Sequence, residues 1–247
     1  MDLSRLPPNL VVLYEPQRSP RRGPRPALTL DGVVAAAVEI ADADGLGAVS
    51  MSRVAERLGF TTMSLYRYVK SKDELLLFMA DAANGQPPPR PTPESWRTGL
   101  DGWARAVFGI YRRHPWLLRV PMSAPPAGPA QLRWMEAALA NLAEVGLHEG
   151  QKLQIIQLLH GYARGEAQLS TDLSAVDAGD TSRAGYGEIL RTVTSPETHP
   201  ALHRLAASGL LDESTAYDDE ADFGFGLHTI LDGVERLIAG HVPARPA

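Results

Sequence analysis

The chain has no cysteine in its 247 residues. That excludes a disulfide framework, a thiolate nucleophile and a Cys-based zinc site. It also has no apolar run near the roughly 20 residues that a membrane-spanning helix requires. The short apolar stretch at residues 10–14 is followed by acid and proline, not by a small-residue cleavage site. A cytoplasmic protein with no membrane partner is expected. Gly-rich phosphate loops, nucleophile elbows, internal repeats and alternating strand patterns are all missing. An enzyme is therefore not expected, and neither is a cofactor. Hydrophobic residues make up 44% and charged residues 21%, the balance of an ordinary globular protein with a proper core.

What is present is unevenly distributed charge. The net charge is −5, which by itself disfavours a polyanionic partner. Yet residues 1–80 carry 10 basic and 9 acidic side chains, leaving 14 and 20 for the remainder. Arg18, Arg21, Arg22 and Arg25 occur with no nearby acid, and Arg53, Arg57, Arg67, Lys70 and Lys72 face Glu56 alone. A local field of this kind, not the net charge, decides where a polyanion docks.

Helical periodicity accounts for almost all of the chain. Residues 1–26 are rich in Pro and Arg without a helical period and read as a disordered arm. From Leu30 an apolar stripe through Val33, Val34, Ala37, Val38 and Ala41 predicts a helix ended by Gly45. Ser50 can cap a second helix to Leu58, Thr61 or Thr62 a third to about Tyr68, and Ser71 a fourth over 72–83, with Glu74 completing a capping box. The proline run within 85–93 marks a boundary. Further helices are predicted near 94–113, 129–145, 149–170, 181–193, 200–207 and 218–239. The fold class is all-α, with a helix-turn-helix unit over 27–84 and a larger helical core over 85–247.

The stretch MSRVAERLGFTTMSLYRYVK, residues 51–70, carries the functional signal. Val54, Leu58, Phe60 and Leu65 are expected to pack inward around a Gly59 turn that needs positive φ. The outward set is then Thr61, Thr62, Ser64, Tyr66, Arg67, Tyr68 and Lys70. Hydroxyls and tyrosines suit phosphates and base edges, and Met63 suits a thymine methyl. Ser52, Arg53 and Lys72 can hold further phosphates. The partner this surface fits is double-stranded DNA.

Residues 49–76, VSMSRVAERLGFTTMSLYRYVKSKDELL, with the helix before them, resemble the DNA-binding signature of the TetR family of bacterial regulators. By position the resemblance implies DNA contacts from Ser52, Arg53, Thr62, Met63, Tyr66, Tyr68 and Lys72. It departs at Met63, where relatives often carry a small residue or proline. It further implies a homodimer on a near-palindromic operator, a fourth helix leading into a regulatory core, and repression relieved by a small-molecule effector.

In the later helices, Gly161 and Gly165 lie beside one apolar stripe, and Gly224 and Gly226 beside another. Glycine within a helix costs about 1 kcal/mol relative to alanine, so close backbone approach is expected, and a four-helix dimer interface using Gly161, Gly165, Gly224, Leu227 and Leu231 follows. Candidate effector contacts are Trp103, Phe108, Tyr111, Trp134, Met135, Gln157, His160 and Tyr162, with Gln157 and His160 as polar anchors on an apolar helix. The alternatives are a helical binding module that ignores DNA and a metal-dependent protein using His199 and His203, four residues apart. Proline after His199 reads more simply as a helix start.

Overall fold

In the computed structural model of the protein, the described residues are 4, 6–14, 28–90, 95–120, 127–177, 183–211 and 219–241. Regular structure among them is entirely helical. The helices are α1 (Pro8–Tyr14), α2 (Leu30–Asp44), α3 (Met51–Leu58), α4 (Thr62–Leu65), α5 (Lys72–Asn84), α6 (Trp96–Arg113), α7 (Pro129–Asn141), α8 (Glu149–Asp177), α9 (Arg183–Val193), α10 (Pro200–Ala207) and α11 (Asp219–His241). A 3-10 turn, Pro115–Arg119, follows α6.

The caps behave as elementary chemistry dictates. Hydroxyls of Thr29, Ser50 and Ser71 accept from the third backbone N–H of α2, α3 and α5, at 3.0, 3.2 and 3.1 Å. Glu74 reaches back to the Lys70 N–H, one residue before the expected box. Gly59 closes α3 with φ of 72°, a conformation that side chains with a Cβ rarely adopt. Helices α2 to α5 bury Val33, Ala37, Val54, Leu65, Val69 and Leu75 in one core, continuous with the larger bundle of α6, α7, α8 and α11.

Two polar joints bind the small unit to the larger one. Asp42 on α2 receives the Trp116 indole N–H and pairs with His114 Nδ1, each at 2.7 Å. Asp81 on α5 accepts from the Ala130 N–H at 2.8 Å, at the start of α7, and Trp134 Nε1 donates to the Asn84 carbonyl at 3.0 Å. Burial raises the Asp81 pKa above the ordinary carboxylate value, opposed by the Ala130 hydrogen bond and by Arg133. Replacing Asp42 by Ala leaves two buried donors without an acceptor and is expected to cost about 1–3 kcal/mol. Urea denaturation measures it, and a loss below about 0.5 kcal/mol, the range of an ordinary surface substitution, would show that the joint contributes nothing.

Several expectations need correction. Within the arm over 1–26, Pro8–Tyr14 is a helix, not disordered chain. Val12 and Leu13 pack on the core, and the Tyr14 hydroxyl donates to the Ala127 carbonyl at 2.5 Å. Pro at the helix start and four consecutive apolar side chains at 10–13 explain it, because tertiary burial stabilises a helix too short to persist alone. The arginines of the arm lie outside the described residues. Helix α4 ends at Leu65, and a turn carries the chain to Tyr68. Helix α8 runs past 170 to Asp177 and α7 stops at Asn141, before the expected 145.

Candidate nucleic-acid interface and regulatory core

Leu65 and Val69 are fully buried, which fixes the rotation of the α4 segment. The opposite side is then forced outward: Met63 is 75% exposed and Tyr66 43%, with Thr61, Arg67 and Lys70 also exposed. Ser52, Arg53 and Lys72 are exposed on the flanking helices, while Thr62 and Ser64 are half-buried. The Thr61 and Ser64 hydroxyls pair with each other at 2.9 Å, which holds two O–H donors in place for a polyanion. Tyr68 differs from the rest: its ring packs partly against the core. Phe60 is also misjudged by the pattern, being 39% exposed. The αL turn at Gly59 throws it outward, and Leu65 alone closes that side.

The charges of this surface fall into two groups. Arg53 is paired with Asp44 and Arg57 with Glu39, each at 2.5 Å. Both pairs are exposed, and such pairs are worth about 0–1 kcal/mol, so a phosphate can displace the carboxylate. Arg67, Lys70 and Lys72 have no carboxylate within ion-pair distance among the described residues. The result is an exposed, hydroxyl-rich surface with three cations that lack a carboxylate partner among the described residues, of the chemistry that suits a major groove wide enough to admit a helix.

The expected effector residues separate into three places. Trp103 and Trp134 form an edge-to-face pair at 6.2 Å beside the end of α5, and the Trp103 indole donates to the Trp134 carbonyl at 2.9 Å. A cavity of about 70 Å³ there is lined by Gly99, Trp103, Ala137 and Asn141. The Asn141 side chain lies so close that a Cβ at Gly99 would collide with it. Phe108 and Tyr162 both stack with Phe223, at 4.2 and 5.3 Å, and the Tyr162 hydroxyl donates to the Phe223 carbonyl at 3.0 Å. Tyr111 and His160 exchange a hydrogen bond at 3.1 Å. Burial, and then the nearby Arg164 charge, lower the His160 pKa from its ordinary 6.5, so its ring is neutral at pH 7. Met135 is half-buried on α7. Gln157 is exposed on the outer side of α8 and is no core anchor. Arg164 was not among the expected residues, and the packing of α8 against α6 brings it inward.

The two pairs of glycines differ in their surroundings. Gly161 and Gly165 are exposed, and a Cβ on either would meet nothing within 4 Å. Gly224, Leu227 and Leu231 are buried in the chain's own core and cannot belong to a surface between copies. A Cβ on Gly226 would strike the Tyr162 ring, and one on Gly224 would touch Arg105. Those two glycines of α11 admit neighbours from the same chain. The outer side of α11 instead presents Phe225, 79% exposed, with Thr229 and Gly233. His199 caps α10 and bonds to Thr198, and no cluster of three or more His, Cys, Asp or Glu side chains that could hold a metal occurs among the described residues. No helix among the described residues is long and apolar enough to cross a membrane.

Comparison with known proteins accords with this geometry. Residues 33–79 match the family described as bacterial regulatory proteins, tetR family. Residues 88–238 match the tetracyclin repressor-like C-terminal domain. The HTH-type transcriptional repressor DrrR1 of Streptomyces coeruleorubidus is 41% identical over 239 residues, covering 93% of this chain and 86% of that protein. Apo ActR from Streptomyces coelicolor superposes with a TM-score of 0.69 at 29% identity, over 87% of this chain and 98% of ActR. ActR in complex with (S)-DNPA gives 0.71 at 28%, over 86% and 98%. A helix-turn-helix ridge on α3 and α4, an all-helical core behind it and matches across both parts place this chain in the TetR family, whose members are DNA-binding transcriptional regulators, not enzymes.

Proposed function

We propose that the protein is a cytoplasmic, homodimeric repressor that binds a near-palindromic operator and releases it when a small molecule enters the core. The observation that carries the reading is the uncovered ridge of Thr61, Met63, Tyr66 and Lys72, held outward by buried Leu65 and Val69. Two such ridges about 34–36 Å apart would match successive turns of duplex DNA. The relatives support the rest: DrrR1 is a repressor, and ActR is known in complex with (S)-DNPA and with actinorhodin.

Dimerisation is supported by the bare outer side of α8, where Leu158, Gly161, Gly165 and Leu169 lie exposed, and by Phe225, Thr229 and Gly233 on α11. Small residues let helices approach, and large apolar ones beside them supply area. Effector control is supported by the polar joints. A pocket for a drug-sized molecule spans about 300–1,000 Å³, so one that enters at the 70 Å³ cavity beside Trp103 has to widen it. Movement of α7 or of the 3-10 turn would pull on Asp81, Asn84 or Asp42 and so turn α5 and α2. Operator and effector then compete through two shapes of the dimer, each weakening the other by the same factor.

Selection of bound duplexes from a random pool, followed by anisotropy titration, tests the reading. Tyr66→Ala is expected to weaken the selected site about ten-fold. Lys72→Ala is expected to weaken all duplexes evenly and reduce the salt slope by about one. Wild-type protein that selects no duplex at low salt would overturn the proposal.

A further inference from the structure

Arg164 lies on α8 where that helix meets α6 and the 3-10 turn. Its guanidinium stands 5.5 Å over the Tyr111 ring, and Nη2 donates to the Leu118 carbonyl at 2.6 Å. No carboxylate pairs with it among the described residues. Beside it are the Tyr111 hydroxyl and the His160 imidazole, 3.1 Å apart. All three side chains are half-buried, so a ligand can reach them yet meets them partly out of water. A guanidinium is always charged and presents five donors, and partial burial makes its lack of a counter-ion costly. A cation without an anion, beside a hydroxyl–imidazole pair that keeps one donor free of its mutual bond, describes a site awaiting a negative oxygen.

We propose that Arg164, His160 and Tyr111 form an anion-recognition site, and that the effector of this protein carries a carboxylate held there. The inference rests on the effector-controlled reading above and names the chemistry that this core selects. The lowered His160 pKa is consistent with it: burial and Arg164 disfavour a second positive charge there, and a bound carboxylate would offset the Arg164 charge. The position also matters. Arg164 holds Leu118, and Trp116 in the same turn holds Asp42 of the helix-turn-helix unit. A carboxylate that draws Arg164 away from the Leu118 carbonyl would act on the turn that carries this joint.

The test uses the full-length protein and two probe pairs: 2-naphthoate with 2-naphthamide, and anthracene-2-carboxylate with its primary amide. Calorimetry measures each affinity, and ring-nitrogen NMR follows His160. The wild type is expected to prefer each carboxylate over its amide by about ten-fold or more, as charge-assisted hydrogen bonds allow, with the His160 pKa rising when the carboxylate is bound. Arg164→Gln should abolish that preference, and Arg164→Lys should keep part of it. Tyr111→Phe, which removes one hydroxyl and leaves the ring, should weaken the carboxylates while leaving the amides less affected; it serves as the second variant if Arg164→Gln fails to fold. The inference is overturned if wild type shows no preference, if no carboxylate binds, or if the preference survives both Arg164→Gln and Tyr111→Phe. Carboxylate binding that leaves operator affinity unchanged would instead overturn effector release while leaving the site itself standing.

Discussion

A chain carrying Phe225→Asp is expected to elute as a 26.7 kDa monomer and to bind operator about 10²–10⁴-fold more weakly than wild type, the avidity lost when two linked sites become separate. Phe225 is 79% exposed in the isolated chain. Its replacement therefore removes little internal packing, and the stability of the protomer should move by no more than about 0.5 kcal/mol. Across a two-fold axis the same residue meets its surroundings twice, so one substitution buries two unpaired charges. A rim position would tolerate that, whereas the centre of an apolar interface would not. Light scattering together with operator titration reads both consequences. A variant that stays dimeric would move the interface away from α11, to α9 and α10, where Tyr186, Ile189, Val193 and Leu202 are also exposed.

Phe108→Ala is expected to lower the free energy of unfolding by about 3–5 kcal/mol, the usual cost of removing a large aromatic side chain from a core. The ring is 2% exposed, stacked on Phe223 and covered by the Arg112 guanidinium at 5.6 Å. With Tyr162 also stacked with Phe223, it joins α6, α8 and α11 in one aromatic cluster. For a chain of this length the melting temperature should fall by about 6–20 °C. Scans at matched protein concentration are required, because dimer formation itself raises apparent stability. The result also decides what Phe108 is for. A loss of this size marks a structural core residue, while a change below about 1 kcal/mol, too small for a lost core aromatic, would return it to the walls of an effector pocket.

The legibility of the chain in sequence follows from the range of the forces involved. Caps at Ser50 and Ser71, the turn at Gly59 and the stripe from Leu30 are set by neighbours within four residues, and all were readable. The ridge of Met63, Tyr66 and Lys72 was readable too, since burial of Leu65 and Val69 one turn away dictates which side chains remain outside. Phe60 was misjudged because a positive-φ glycine changes the direction of the chain in a way that apolar periodicity does not encode.

Farther along, residue type stopped being sufficient. Glycine in α8 and glycine in α11 look alike in sequence, yet Gly161 faces open space and Gly226 receives Tyr162. Gln157 and Arg164 both read as polar positions on one helix, but the first points out and the second comes inward over Tyr111. The segment at 8–14 became a helix because α5 and the start of α7 offered it an apolar seat. By itself, then, the sequence determined the helical class, the caps at Ser50 and Ser71 and the exposed surface after Gly59, because these depend on local backbone chemistry and a short-range apolar period. Only the tertiary structure decided which helix faces meet within the chain, which stay bare, and where Arg164 ends up, because those outcomes depend on packing between residues some fifty positions apart, such as Tyr111 and His160.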